Sequence, residues 1–293
     1  MRTPSEQATS VVNPSRLISS DPRQDLSLPP ILAAIAVISL LLTLTVGGAL
    51  FFFPETIQAR WVWPLKPYNT RFLGAIYLTA AVGFTSLLAG RRSALARLVV
   101  PMLFVFTTNA LMVSCLQLQQ FNPARRATDI WFWLYILDCA GGAYYLGYYR
   151  HRPFAGLRRL PKLWTGILGV QAGLLGAYGL SLLLFPVAAG SGWLWPLDVF
   201  HSQLYSSLLL AGAVGSALLA RRATAAELRA LGAIQLTFSV LVILGVWIVD
   251  KEVQLIDWSR FGNWTWMGAI ALLGIVGMGS LWLQARLPKN FET

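Results

Sequence analysis

Asp138 is the residue best placed to do chemistry. It stands in Ile136-Leu137-Asp138-Cys139-Ala140-Gly141-Gly142, near the middle of an apolar block. An ionisable side chain at membrane depth is costly and marks a functional position by default. Two roles are open to it: a proton- or cation-binding group in a transporter, or a neutral acid that hydrogen-bonds a neighbouring helix. Helical spacing puts Trp131, Tyr135, Gly142 and Tyr145 on its face. Asn109, midway along the preceding block, is the expected partner, with Gln171 and Gln235 as further polar groups. One carboxyl without a second charged group makes a thin proton relay, so the neutral, structural role is the expected one.

A second group of residues clusters in a short stretch that occurs twice. Trp61-Val62-Trp63-Pro64-Leu65 and Trp193-Leu194-Trp195-Pro196-Leu197 lie 132 positions apart, each after a Phe-Pro pair. Proline holds the preceding tryptophan in an extended or turn conformation. The two segments are expected to form an ordered cap over one mouth of the molecule, able to hold a hydrophobic ligand or dock a partner. Within the cap, Lys66 corresponds to Asp198, Asn69 to His201 and Arg71 to Gln203. If the loops meet, Lys66 and Asp198 face each other as an ion pair.

The elements that position these residues are long helices. The chain is 56% hydrophobic and 12% charged, and its apolar residues fall in blocks of about 20, the length of a membrane-spanning helix. Eight such blocks run over 30–53, 70–89, 97–118, 129–149, 163–185, 201–220, 228–249 and 264–284. Pro30 suits the first turn of the first span, where its missing N–H costs nothing. Pro54 and Pro186 end spans one and five, and Pro101 falls in the first turns of span three. The predicted fold is an all-α integral membrane protein of eight transmembrane helices, a tandem parallel repeat of two four-helix units. The units cover 30–149 and 163–285, with a basic linker at 150–162. Residues 1–29 read as a disordered polar tail, retained rather than cleaved as a signal peptide, and 286–293 as a short tail.

The duplication extends beyond the tryptophan stretch. Ala81-Val82-Gly83 matches Ala213-Val214-Gly215, Arg97 matches Arg229, and Phe106 matches Phe238. At an offset of 133, Trp131-Phe132-Trp133 matches Trp264-Thr265-Trp266, and Gly141 matches Gly274. That alignment pairs Asp138 with Ala271, so the carboxyl belongs to one half only. Four spans per unit is an even number. Both units therefore enter the membrane in the same direction, related by an axis along its normal.

Sixteen of the 23 basic residues fall on the side that holds both termini. The other seven, Arg60, Lys66, Arg71, Arg125, Arg126, Lys251 and Arg260, fall opposite. The positive-inside rule then places both termini in the cytoplasm of a cell that keeps the protein in its inner or plasma membrane. It also accounts for the net charge of +11 without nucleic acid. Ten of the twelve tryptophans fall on the outer side, against Trp164 and Trp282 inside. Interfacial belts explain indole at headgroup depth; the asymmetry favours the ordered cap.

Cys115 and Cys139 read as buried free thiols, and His201 and His151 stand on opposite sides. No phosphate loop, His-Glu-x-x-His or acidic metal motif is present, and no cofactor, metal or catalytic set is expected. Gly169-x-x-x-Gly173, with Gly212, Gly215, Gly274 and Gly277, offers packing or oligomer faces. The expected function is non-enzymatic: an accessory membrane component contacting lipid, a protein partner or a second copy through the tryptophan face or the glycine-rich helices. The alternative is a transporter or channel for a small solute or ion, with its site between the repeats.

Overall fold

The computed structural model describes residues 28–286 apart from 91–92, 152–153 and 155. The polar N-terminal tail, part of the basic linker and the last residues lie outside that set. The described residues form ten α-helices and no strand; Arg158 and Ala223 share one isolated antiparallel bridge.

The first five helices are α1 (Pro30–Phe52), α2 (Pro54–Gln58), α3 (Pro67–Gly90), α4 (Ser93–Leu116) and α5 (Arg126–Tyr149). They are followed by α6 (Lys162–Leu184), α7 (Pro186–Gly190), α8 (Val199–Arg221), α9 (Ala225–Val253) and α10 (Phe261–Arg286). Seven of them, α1, α3, α4, α6, α8, α9 and α10, are long and apolar enough to cross a membrane. At 1.5 Å per residue even the 23-residue helices reach about 35 Å, beyond a hydrocarbon core of about 30 Å. The chain is therefore an all-helical membrane protein. α5 matches them in length at 24 residues, but Asp138 and its many Trp and Tyr side chains lower its hydropathy, and it is not among the seven.

The prolines act twice. Phe53 (φ −129°, ψ 53°) breaks α1, and Pro54 then opens a one-turn helix from its first position. Phe185 (φ −127°, ψ 56°) and Pro186 do the same after α6. These two short helices, absent from the span pattern, carry the chain sideways into the tryptophan stretches. Pro101 departs from expectation. α4 starts at Ser93, so the proline lies in the helix interior and supplies no N–H to the Arg97 carbonyl.

Buried side chains gather at two ends. One cluster holds Leu50, Trp63, Val113, Trp131, Leu182, Trp195, Val246 and Trp266. The other holds Leu32, Leu87, Leu95, Tyr145, Leu168, Leu219, Leu228 and Leu283. Every long helix contributes to both, α5 included, through Trp131 at the tryptophan-rich end and Tyr145 and Tyr149 at the arginine-rich end. α1 packs on α3, α6 on α8, α4 on α5 and α9 on α10, while α3 against α9 and α4 against α8 join the two sets.

Close helix approach rests on particular glycines. A Cβ at Gly232 would meet the Gly277 carbonyl at 2.7 Å, and one at Gly277 the Gly232 carbonyl at 2.8 Å, so α9 and α10 touch backbone to backbone. Gly169 and Gly173 face open space with nothing within 4 Å. Their helix α6 leaves Leu163, Val170 and Leu174 exposed as well.

Candidate functional site

The tryptophan stretches are part of the core. Trp63 is 2% exposed and Trp195 3%, with Trp131, Trp193 and Trp266 also buried, whereas Trp133, Trp247, Trp264 and Trp282 are more than half exposed. Trp61 is half-buried, and Pro64, Pro196 and Lys66 lie on the surface. Two of the buried indole N–H groups reach across the molecule, while that of Trp131 donates to nearby Ser114 at 3.0 Å. Trp63 Nε1 donates to His201 Nε2 at 3.1 Å, and Trp195 Nε1 donates to Asn69 Oδ1 at 2.8 Å. Asn69 and His201 are themselves 132 positions apart, so the two bonds are reciprocal. The flanking rings repeat the relation: Tyr68 stacks on Trp195 (5.3 Å) and Phe200 packs edge-on against Trp63 (5.0 Å). The indole hydrogen bonds with these stacked and edge-to-face ring contacts hold the rim in one arrangement.

An indole N–H only donates, so His201 Nε2 accepts from Trp63 and Nδ1 carries the proton that faces Asp198. Nδ1 donates to Asp198 at 2.7 Å, and Asp198 also caps α8 by accepting from the His201 backbone N–H at 2.8 Å. Burial works to raise the Asp198 carboxyl, but the His201 side-chain hydrogen bond, the electrostatic attraction of that ring and its backbone N–H, followed by the positive charge of Lys66, hold it below the usual carboxylate range. The sequence predicts an ion pair between Lys66 and Asp198. The carboxylate's hydrogen bonds go to His201, and Lys66 acts on it through its charge.

The arginine-rich end carries a clamp that sequence reasoning missed. Arg97 on α4 makes a bidentate pair with Glu227 on α9, Nε to Oε1 at 2.7 Å and Nη2 to Oε2 at 2.9 Å, and Nη2 also donates to the Arg222 carbonyl. Glu227 is fully buried. It closes a capping box with Thr224, accepting from that residue's backbone N–H at 2.8 Å. The signal was legible: Thr224-x-x-Glu227 ahead of an apolar run is a helix start.

The polar residues at membrane depth do not converge. Asn109, expected beside Asp138, instead donates to Ser206 and Ser207 on α8 at 2.9 and 2.8 Å. Gln171 donates to Ser216, joining α6 to α8 at 2.7 Å. Gln235 is buried on α9, its amide atoms without a hydrogen-bond partner among the described residues.

Asp138 lines a cavity of about 140 Å³ bordered by α1, α3, α4 and α5, with Leu208 and Ala211 of α8 and Ile234 of α9 also in its lining. Its walls are mainly apolar, with Ile76, Phe84, Val99, Leu103 and Leu134 among them. Polar groups enter from Ser39, Thr43, Tyr77, Thr79, Thr107, Tyr135 and Asp138, the Thr79 hydroxyl having no hydrogen-bond partner among the described residues. Tyr77 and Tyr135 line the cavity beside Asp138, which stands three residues along α5 from Tyr135.

α5 and α10 make similar contacts at an offset that differs from the 133 positions read in the sequence. Trp131 packs on Trp63 (4.9 Å) as Trp266 packs on Trp195 (5.6 Å). Cys139 meets Thr107 where Gly274 meets Ser239, and Gly142 meets Phe104 where Gly277 meets Leu236. These pairs (131 and 266, 139 and 274, 142 and 277) are 135 positions apart rather than 133. The Trp-x-Trp spacing in both halves masks the slip. At an offset of 135, position 138 falls opposite Leu273, which carries no charge.

Comparison with known proteins finds no matching family model, no similar curated protein and no similar solved structure.

Proposed function

We propose that this chain is a non-enzymatic, ligand-binding component of the inner or plasma membrane, an eight-span bundle of two duplicated four-span units with both termini cytoplasmic. The observation that carries the binding role is the cavity beside Asp138. It is apolar enough to take a hydrocarbon group, and an apolar cavity of about 150 Å³ holds a benzene-sized molecule. The rim of reciprocal Trp63–His201 and Trp195–Asn69 bonds and the Arg97–Glu227 clamp hold the halves together at both ends, keeping that cavity shaped. The tryptophan stretch serves inside the protein as a clasp, which favours a ligand within the bundle over a partner docked on the indoles.

Support for an eighth span is that α5 runs beside α4 from the tryptophan-rich cluster to the arginine-rich one. Support for duplication is the set of matched breaks, bonds and contacts between halves.

The test is extraction in a lipid-retaining polymer, with mass spectrometry of what co-purifies. A stoichiometric apolar molecule with the wild type, lost from the cavity-filling variant Ala211→Phe, is the expected result. A stoichiometric protein partner with no small molecule would overturn the reading in favour of an accessory subunit. The same cavity favours a second reading, a carrier that moves its ligand across the membrane; ligand flux in proteoliposomes, lost in Ala211→Phe, distinguishes it.

A further inference from the structure

The cavity has one chemically distinct patch. The Thr107 hydroxyl donates to the Leu103 carbonyl at 2.9 Å and the Thr43 hydroxyl to the Ser39 carbonyl at 2.7 Å. Among the described residues Asp138 has no hydrogen-bond or ion-pair partner, and no Lys or Arg lines the cavity. It is half-buried and faces a space walled by hydrocarbon and phenol rings.

We propose that the cavity is a site for an amphipathic amine, with the ammonium group on the Asp138 carboxylate beside Tyr77 and Tyr135 and the apolar body against Leu103 and Leu134. This rests on the binding role proposed above and names the ligand class for it. A protonated amine supplies the charge and the donors that a lone carboxylate lacks in a low-dielectric wall. Charge-assisted hydrogen bonds are roughly twice as strong as neutral ones. Tyrosine faces near the head group add attraction for a cation. A neutral alcohol of the same shape gains neither the charge nor the ring attraction. The ligand's entry is sideways from lipid: α1 rests on α3 and α5 on α4, and side chains such as Ile35, opposite Gly141, bridge the seam between α1 and α5.

The experiment measures saturable binding of radiolabelled benzylamine and its isostere benzyl alcohol to the full-length protein in nanodiscs, with empty nanodiscs subtracted. The wild type is expected to prefer the amine by about tenfold. Asp138→Asn should weaken the amine by a similar factor and leave the alcohol unchanged, Asp138→Glu should retain the preference, and Ala211→Phe should abolish both. If Asp138→Asn does not fold, the isosteric Asp138→Leu removes the same charge without leaving a buried polar group, and should weaken the amine but not the alcohol. Equal amine affinity in wild type and Asp138→Asn, or an alcohol bound as tightly as the amine, overturns the amine assignment. Binding of both probes unchanged in Ala211→Phe, or no saturable binding to the wild type, overturns the cavity reading as well.

Discussion

The Trp63 indole N–H donates to His201 Nε2 at 3.1 Å across 138 residues of sequence, and both side chains are buried. Its counterpart is the 2.8 Å bond from Trp195 to Asn69. The pair explains why the Trp-x-Trp-Pro stretch occurs twice: each copy supplies a donor to the acceptor beside the other.

Phenylalanine at position 63 or 195 keeps a ring and removes the N–H. Trp63→Phe leaves His201 Nε2 buried without its donor, and an orphaned buried acceptor costs about 1–3 kcal/mol. Trp195→Phe should cost a similar amount through Asn69 Oδ1. Unfolding titrations in mixed micelles should show both losses. Two neutral substitutions would mean that the indoles contribute packing alone.

The Arg97–Glu227 pair predicts a larger and non-additive effect. Removing one partner of a buried pair strands a charge and costs about 3–5 kcal/mol. Arg97→Met and Glu227→Met alone should each lower the thermal stability of the purified protein sharply. The double variant should recover most of the loss, and additive losses would contradict the coupling.

Asp198 predicts a pH dependence. A carboxyl whose folded value is depressed adds stability that is present above about pH 4, its unfolded range, and is lost as the pH falls through the lowered value. Asp198→Ala should therefore cost about 1 kcal/mol at pH 7, as a lost helix cap does, and its deficit should close in strong acid. A melting-temperature difference that stays constant down to pH 2.5 would separate the cap from the charge.

The glycines divide into two classes. Gly277→Ala places a methyl 2.8 Å from the Gly232 carbonyl and should destabilise by about 1–3 kcal/mol through overpacking. Gly169→Ala and Gly173→Ala meet nothing and should be neutral or stabilising by up to about 1 kcal/mol each, since alanine favours helix. Detergent unfolding of the three variants checks the contrast. A loss at Gly169 or Gly173 equal to that at Gly277 would place a second copy of the chain on α6.

The long helices were legible because each is a local pattern. Apolar blocks of spanning length, closed by Phe-Pro and opened by proline, predict α1 and α6 to within a residue. The ends of α9 were not: Thr224-Ala225-Ala226-Glu227 is a start signal lying before the apolar run, and Asp250 and Lys251 lie beyond it yet remain helical. The candidate site was legible only in part. Asp138 stands out by its charge alone, but its assignment to Asn109 failed because membrane depth says nothing about which face of a helix meets which neighbour. Asn109 turned to two serines on α8 instead.

Composition and block length by themselves determined an all-helical membrane protein, the extents of most of its long helices and the paired tryptophan stretch. Those are properties of one segment at a time, set by the cost of exposing a backbone N–H or a charge to hydrocarbon. Tertiary structure alone decided that the paired indoles are core donors, that His201 holds Asp198, that Arg97 meets Glu227, and that Asp138 borders a cavity. Lipid is as apolar as a leucine side chain, so hydropathy does not mark the packed face of a spanning helix. Shape, close glycine approach and hydrogen bonds over a hundred residues apart in sequence select it.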